Sequence, residues 1–515
     1  MPFAPLRPGS SAIQTVTQGQ RLVLGLLIVA LVLALYLKGT ATLIALLGFI
    51  TFTYLVNMTL MMIAVARALY DDGVRDSDDR VEYENALASL VDQRSADEVL
   101  IATLGDDYWP PYTILCPLYR EVEVIPQFVD AISALDYPAD RLQVLLLTEE
   151  DDEATRQAIL GMSLPASFQV VTVPDGEPRT KPRACNYGLL MADGSFTVIY
   201  DAEDIPDPLQ LKKAVLAFAR DNASLACVQA SLGFYNPSQN LLTRWFTIEY
   251  AVWFHVVLPG LQWLGLSLPL GGTSNHFRTD VLRRVGGWDP FNVTEDCDLG
   301  LRLAHMRLRT AILDSTTMEE ANSDVRNWLR QRSRWIKGYM QTYLVHLRHP
   351  ARYVTKRRFR ALFSLQILIG ASPATMLVNP LMWALLGIYI GLRGQVAPMF
   401  QIVYMPLIFY PAVACLVCGN FLQLYTHLIA CVKTRQFFLI PAVVTIPLYW
   451  LLMSLAAIMA AWQLIVMPHY WEKTKHGLHL KHAGVNVPAE ARERQPEPAF
   501  SVSLVAPADL SEVAP

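Results

Sequence analysis

The sequence predicts an α/β domain with a mostly parallel sheet, inserted between N-terminal and C-terminal membrane-spanning helices. Three observations lead there. The 515 residues exceed what one compact domain needs. Hydrophobic residues make up 53% of the chain while charged residues still reach 17%, and the mean hydropathy is +0.29. Between residues 110 and 345, short β-prone runs alternate with helix-like stretches, the pattern of a mostly parallel sheet.

The elements follow in order. Residues 1–21 read as a cytosolic tail. Residues 22–37 and 41–66 are apolar runs, the first slightly short of the ~20 residues that span a bilayer and the second ample. A cleaved signal peptide is the alternative for the first run, but the closeness of the second favours a two-helix hairpin. Residues 67–105 form an acidic linker. The soluble domain occupies 106–345, with strands expected at Tyr112–Cys116, Gln143–Thr148, Phe168–Val173 and Phe196–Tyr200, and helices at Ile125–Leu135 and Ala184–Met191. Residues 346–360 carry six cations, including Arg348, Arg352 and Arg360, and read as a basic interfacial segment. By the positive-inside rule they place the domain in the cytosol of a multi-pass protein. Residues 361–467 hold three or four spans. Residues 468–483 read as a loop and 484–515, rich in Ala, Pro and acids, as a disordered tail. Lys473, Lys475 and Lys481 favour a cytosolic tail, against the outside position that three spans give.

The net charge of −4 gives no general basic field and argues against a nucleic-acid partner. Seven scattered cysteines show no disulfide framework. Cys415 and Cys418 sit in an apolar run and read as small membrane-helix residues.

Several polar groups could carry chemistry. Asp201 and Glu203 follow an apolar strand; carboxylates at i and i+2 there can hold a hard divalent cation on a diphosphate, or merely form a solvated acidic turn. Glu149 to Asp152 end another strand and read as base or ribose contacts, or as a helix cap. Thr180-Lys181-Pro182-Arg183 offers two cations beside a helix start, for phosphate or as a surface loop. Gly271–His276 lets backbone approach a ligand closely, or makes a simple turn. Thr294-Glu295-Asp296 offers a general base, or a cap for the amphipathic stretch Leu299–Met306. Gln331-Arg332-Ser333-Arg334-Trp335 lies on the helix-like stretch Asn327–Val345. Its Gln331, Arg334 and Trp335 share one face, where Arg can grip a diphosphate and an aromatic ring can stack on a sugar; an interfacial helix explains the same residues.

In this order the pieces resemble the membrane-embedded family-2 glycosyltransferases, the group containing cellulose, hyaluronan and chitin synthases. The resemblance covers roughly residues 110 to 475, and Gly271–Arg278 and Arg330–Gly338 look most like bacterial XagB-like β-glucan and exopolysaccharide synthases. Two motifs depart from the pattern: Glu-Glu-Asp-Asp at 149–152 stands in place of Asp-Asp-Gly, and Asp201-Ala202-Glu203 in place of Asp-Ala-Asp. The resemblance implies a GT-A type fold with a doubly wound mixed sheet, and an inverting hexosyltransferase of the cell inner membrane. It implies a UDP-sugar donor, UDP-glucose above others, and a β-linked exopolysaccharide product. Asp296, beside Glu295, would be the base. Asp201 and Glu203 would hold Mg²⁺ or Mn²⁺, and Glu150, Asp151, Lys181 and Asp201 would contact the nucleotide sugar. Gln331 and Arg334 would grip the pyrophosphate and acceptor end, Trp335 and Thr294 the acceptor. Residues 470–474 would belong to a gating loop over bound donor. The implied partners are the growing glycan or a lipid acceptor, the bilayer, and export or regulatory subunits. Single-sugar transfer to a lipid carrier, and a catalytically dead scaffold, are the rival readings.

Overall fold

The computed structural model describes residues 8–73, 97–221, 223–351 and 359–468, with Leu6 and Tyr353. The expected gating loop at 470–474, the 484–515 tail, residues 74–96 of the acidic linker and most of 352–358 in the basic segment lie outside the described residues.

Eight strands form one mixed sheet in the order β3-β2-β1-β4-β7-β6-β8-β5. They are β1 (Tyr112–Leu118), β2 (Leu142–Glu149), β3 (Phe168–Val173), β4 (Phe196–Ile199), β5 (Ile205–Pro206), β6 (Leu225–Phe234), β7 (Asn275–Arg278) and β8 (Arg309–Glu319). β1 pairs in parallel with both β2 and β4, and β2 with β3. β7 runs antiparallel between β4 and β6, β6 is parallel to β8, and β5 is antiparallel to β8. Strand order reverses direction at β1 and β4, so a crevice opens at their carboxyl ends, where ligands of open α/β sheets bind.

Both faces of the sheet are covered, which is why its strands read as near-continuous apolar runs. Ile114, Cys116, Val144 and Leu146 enter one core cluster with Phe128 and Phe218. Their neighbours Leu115, Leu145 and Leu147 point to the other face and pack with Leu189, Phe277 and Trp288.

The helices begin earlier than the sequence led us to expect, and this moves charged residues into first turns. The helix expected at Ala184 starts at Lys181, with Pro182 in its first turn, where a missing N–H costs nothing. Thr180-Lys181-Pro182-Arg183 is therefore a helix start and not a free loop. The helix expected at Leu299 spans Glu295–His305, and the one at Asn327 spans Val325–His346, capped by Asp324 accepting from Asn327 N at 2.8 Å. β2 runs one residue past its expected end, so Glu149 closes a strand and is buried.

Four helical stretches among the described residues are long and apolar enough to cross a membrane: Gln18–Tyr70, Phe359–Gly391, Pro406–Lys433 and Ile446–Val466. The first has 53 residues. At ~1.5 Å per residue it is far longer than one bilayer crossing, and it bends at Lys38 (φ −143°, ψ 52°). Both N-terminal apolar runs fall within it. Outward residues such as Leu24, Leu27 and Val29 remain exposed, as a lipid-facing surface requires.

The N-terminal segment is docked on the domain. Ser11 Oγ donates to Asp289 Oδ1 at 2.8 Å and Ala12 N to Asp289 Oδ2 at 2.6 Å. Arg348 donates to the Ser11 carbonyl at 2.8 Å, and Gln20 to the Leu344 carbonyl at 2.7 Å.

Candidate active site

The chain leaves β4 at Ile199 and turns through Asp201 to Asp204. Asp204 is fully buried and closes that turn, accepting from Asp201 N at 2.7 Å and from Thr273 Oγ1. Burial, reinforced by the charges of Asp201 and Glu203, pushes its carboxyl well above the usual range. Asp204 thus shapes the loop, while Asp201 and Glu203 line a cavity. Lys181 Nζ bonds Asp201 Oδ1 and donates to the Gly272 carbonyl at 2.8 Å. Burial opposes the lysine's charge, but Asp201 and Glu295 outweigh it and hold Lys181 above its ordinary pKa.

Opposite, Thr294 occupies the N-cap position of the Glu295–His305 helix, which puts Glu295 and Asp296 in the first turn. Asp296 Oδ1 accepts from Cys297 N at 2.6 Å. The positive end of a helix favours a carboxylate, yet burial dominates and raises both acids, Glu295 further because the Asp296 charge adds to it. The Gly271–Thr273 loop covers this pair: a Cβ on Gly272 would sit 3.5 Å from Asp296 Oδ2 and 3.9 Å from Lys181 Nζ. Gln229 pins the loop, accepting from Gly271 N at 2.8 Å and donating to the Thr273 carbonyl at 3.1 Å.

The Val325–His346 helix supplies the third wall. Gln331, Arg334 and Trp335 all line the cavity, as their shared face predicts. The helix is clasped to the segment before Asp296. Asn292 Nδ2 donates to Thr342 Oγ1 at 2.9 Å, and Val293 N to Gln341 Oε1 at 3.2 Å. Gly338 lies so close that a Cβ there would be 2.4 Å from Thr294 Cγ2.

The first acid cluster divides its labour. Glu149 lines the cavity with its oxygen 3.3 Å from Arg183 Nη1, and burial raises its pKa. Glu150 is exposed and accepts from Asp175 N at 2.8 Å, and Asp151 is exposed and pairs with Arg179 at 2.9 Å. The helix-capping role falls to Asp152, which accepts from Thr155 N at 3.3 Å.

Residues outside the expected set also reach the cavity. Glu319, at the end of β8, lines it, and burial with the Asp204 and Glu203 charges pushes it up. Glu249, Tyr339 and Tyr449 line it as well. The sheet order is what brings Glu319 in; the sequence signal was the Glu319-Glu320 pair ending a β-prone run.

Asp201 and Glu203 are hard oxygen donors on one turn. Among the described residues, no group of three or more potential ligands surrounds them. Two carboxylates suit Mg²⁺ or Mn²⁺, whose remaining positions are taken by water and phosphate oxygens.

The cavity is continuous and has a volume of about 1630 Å³. It begins at Asp201, Glu203 and Asp296, passes Gln331 to Trp335, and extends between the long apolar helices. There its wall includes Tyr54, Asn57, Asn379, Trp383, Tyr404 and Gln423.

Residues 110–338 match the profile described as "Glycosyltransferase like family 2". The chain is similar to the probable glycosyltransferase YdaM of Bacillus subtilis (strain 168), 28% identical over 263 residues, 50% of this chain and 61% of the relative. It is also similar to the probable glucomannan 4-beta-mannosyltransferase 10 of Arabidopsis thaliana, 25% identical over 252 residues, 46% of this chain and 44% of the relative. The chain thus spans about half to three fifths of the length of these relatives. Among solved structures, the mannosyltransferase PcManGT of Pyrobaculum calidifontis in complex with GDP-Man and Mn²⁺ aligns with a TM-score of 0.43 and 17% identity, covering 79% of this chain and 99% of that one.

Proposed function

We propose that the chain, whose residues 110–338 match the family 2 glycosyltransferase profile, is an inverting, processive inner-membrane synthase that builds a β-linked exopolysaccharide from a UDP-hexose, UDP-glucose in the first place. The observation that carries this reading is the continuity of the cavity. A product made at Asp296 has a walled path, with amide and aromatic side chains along it, leading between apolar helices. Transfer of one sugar to a lipid needs no such path.

The chemistry is a single displacement. The acceptor hydroxyl oxygen attacks the anomeric carbon, Asp296 takes its proton, and the bond from that carbon to the diphosphate breaks, releasing the nucleoside diphosphate. A carboxyl raised by burial is a stronger base than an ordinary aspartate once ionised. Asp201 and Glu203 would hold Mg²⁺ or Mn²⁺, whose charge would offset that of the departing diphosphate. Lys181 adds a fixed cation beside them. Glu149 lines the nucleotide side, with Glu150 and Asp151 exposed beside it and outside the cavity lining; Gln331 and Arg334 would grip the pyrophosphate and acceptor end, and Trp335 with Thr294 would border the acceptor.

The docked N-terminus bears on topology. Residues 11–20 touch the same domain that the chain re-enters after Gly73. An even number of crossings between them would satisfy both contacts, which supports a two-helix hairpin bent near Lys38, with N-terminus and domain both cytosolic.

Purified protein in detergent with UDP-glucose and Mg²⁺ is expected to release UDP and accumulate polymer. The name of the Arabidopsis relative, a mannosyltransferase, makes a nucleotide-activated mannose such as GDP-mannose the second donor to supply. Folded protein that turns over no nucleotide sugar would sink the proposal; a single sugar on lipid would replace polymer synthesis with the lipid-carrier reading.

A further inference from the structure

Arg332 lies between the two outer members of the Gln331–Trp335 pentad and takes no part in the chemistry above. It is 6% exposed, a costly place for a cation unless its partners are well arranged. Its Nη2 bonds Glu249 Oε2 and lies 3.4 Å from Tyr449 Oη, and Tyr449 Oη donates to the same Glu249 oxygen at 2.5 Å. The guanidinium centre stands 4.4 Å from the Phe246 ring, 4.5 Å from Trp335 and 5.6 Å from Trp328. Three segments meet here: the pentad helix, the Leu241–Val252 helix with Phe246 and Glu249, and the apolar Ile446–Val466 helix with Tyr449. Arg332, Glu249, Tyr449 and Trp335 all line the cavity, and Trp335 is the one that the proposed function assigns to the acceptor.

We infer that Arg332 is a positioning residue for the acceptor: locked by Glu249 and Tyr449, its guanidinium braces the Trp335 ring at the cavity wall and ties that ring to the last apolar helix. The inference rests on the glycan-synthase reading of the site. A planar, delocalised guanidinium can stack on Trp335 while its edge bonds a carboxylate; a lysine ammonium keeps the charge and loses the plane. Arg332→Lys therefore removes the brace without stranding Glu249 opposite an uncharged group.

The test uses the full chain in detergent, with UDP-glucose as donor and a short β-linked gluco-oligosaccharide as primer. Arg332→Lys is expected to raise the KM for primer about tenfold while the KM for donor and kcat change by less than about twofold, the signature of lost ground-state positioning. Combined with Trp335→Phe, the effect on primer KM is expected to be no larger than that of the worse single variant, because residues acting as one unit are not additive. Tyr449→Phe deletes one hydroxyl and guards against misfolding; it is expected to move primer KM in the same direction by about threefold. An unchanged primer KM in Arg332→Lys, an equal rise in donor KM, or full additivity with Trp335→Phe would overturn the assignment. A wild-type chain that turns over neither UDP-glucose nor GDP-mannose overturns the functional reading itself, so the two failures are told apart by the wild-type rate.

Discussion

The carboxylates of Asp201 and Glu203 and those of Glu295 and Asp296 face the same cavity but are held by different means. Asp201 stands at a strand end with its charge met by Lys181, and its turn is tied from beneath by the buried Asp204. Asp296 stands in a helix's first turn and accepts from the backbone N–H of Cys297. At the first wall the Asp201 charge is met by a cation. At the second, burial outweighs that bond and the nearby Lys181, so the carboxyl is left poised to take a proton. On the proposed function, one wall would receive the diphosphate and the other would activate the acceptor hydroxyl.

The strongest way to break this contrast is to remove the proposed base. Asp296→Asn keeps the shape and the bond from Cys297 N, since the amide oxygen still accepts. Turnover is expected to fall by about 10³-fold, within the range for general bases, while nucleotide binding by titration stays near wild type. Normal turnover would take Asp296 out of the reaction.

Lys181→Met attacks the first wall. It leaves Asp201 without its cation and removes the charge that lowers the Glu295 and Asp296 pKa values. Donor turnover is expected to drop by about 10²-fold, the scale of one preorganised electrostatic contact. Raising Mg²⁺ is expected to recover part of it.

The pH–rate profile sharpens the same point. Burial, the largest effect, raises Asp296, and only its ionised form can accept a proton. As pH falls through that raised pKa the active fraction is lost, so the acidic limb of kcat/KM is expected above the ordinary carboxylate value of ~4. In Lys181→Met the limb is expected to move further up. A limb at ~4 in the wild type would show that burial does not dominate.

Much of this site was legible because its motifs are local. Phe168–Val173 and Phe196–Ile199 are apolar runs whose ends can be read, so the acids after β4 could be placed at a strand's carboxyl end. Gln331, Arg334 and Trp335 were placed on one face by helical spacing alone. What stayed hidden depends on long-range packing. Glu319 reaches the cavity only because β8 lies between β6 and β5. Arg332 meets Tyr449 across 117 residues and Ser11 meets Asp289 across 278, and no periodicity announces such pairs. Helix starts were placed late at Lys181 and Glu295 because the first turn buries little apolar surface, so the pattern that reveals a helix begins after it.

The smallest expected effect tests how the two walls are kept at a fixed separation. Gly338 lets the pentad helix press against Thr294, and a Cβ there would come within 2.4 Å of Thr294 Cγ2 and 2.7 Å of its Oγ1. Thr294 is held in turn by Thr342 Oγ1 at 3.3 Å, so it cannot simply rotate away. Gly338→Ala gains helix propensity of ~1 kcal/mol but overpacks a closed contact, which costs about 1–3 kcal/mol. A modest net loss in thermal stability is expected, with turnover falling because the helix is pushed from Asp296. Thr294→Ser removes the nearest crowding atom and leaves the hydroxyl oxygen at 2.7 Å and Cβ at 2.9 Å, so adding it to Gly338→Ala is expected to return part of the stability. If Gly338→Ala alone is as stable and active as wild type, the contact is slack, and the spacing of Arg334 from Asp296 must be set by the Asn292–Thr342 and Val293–Gln341 hydrogen bonds instead.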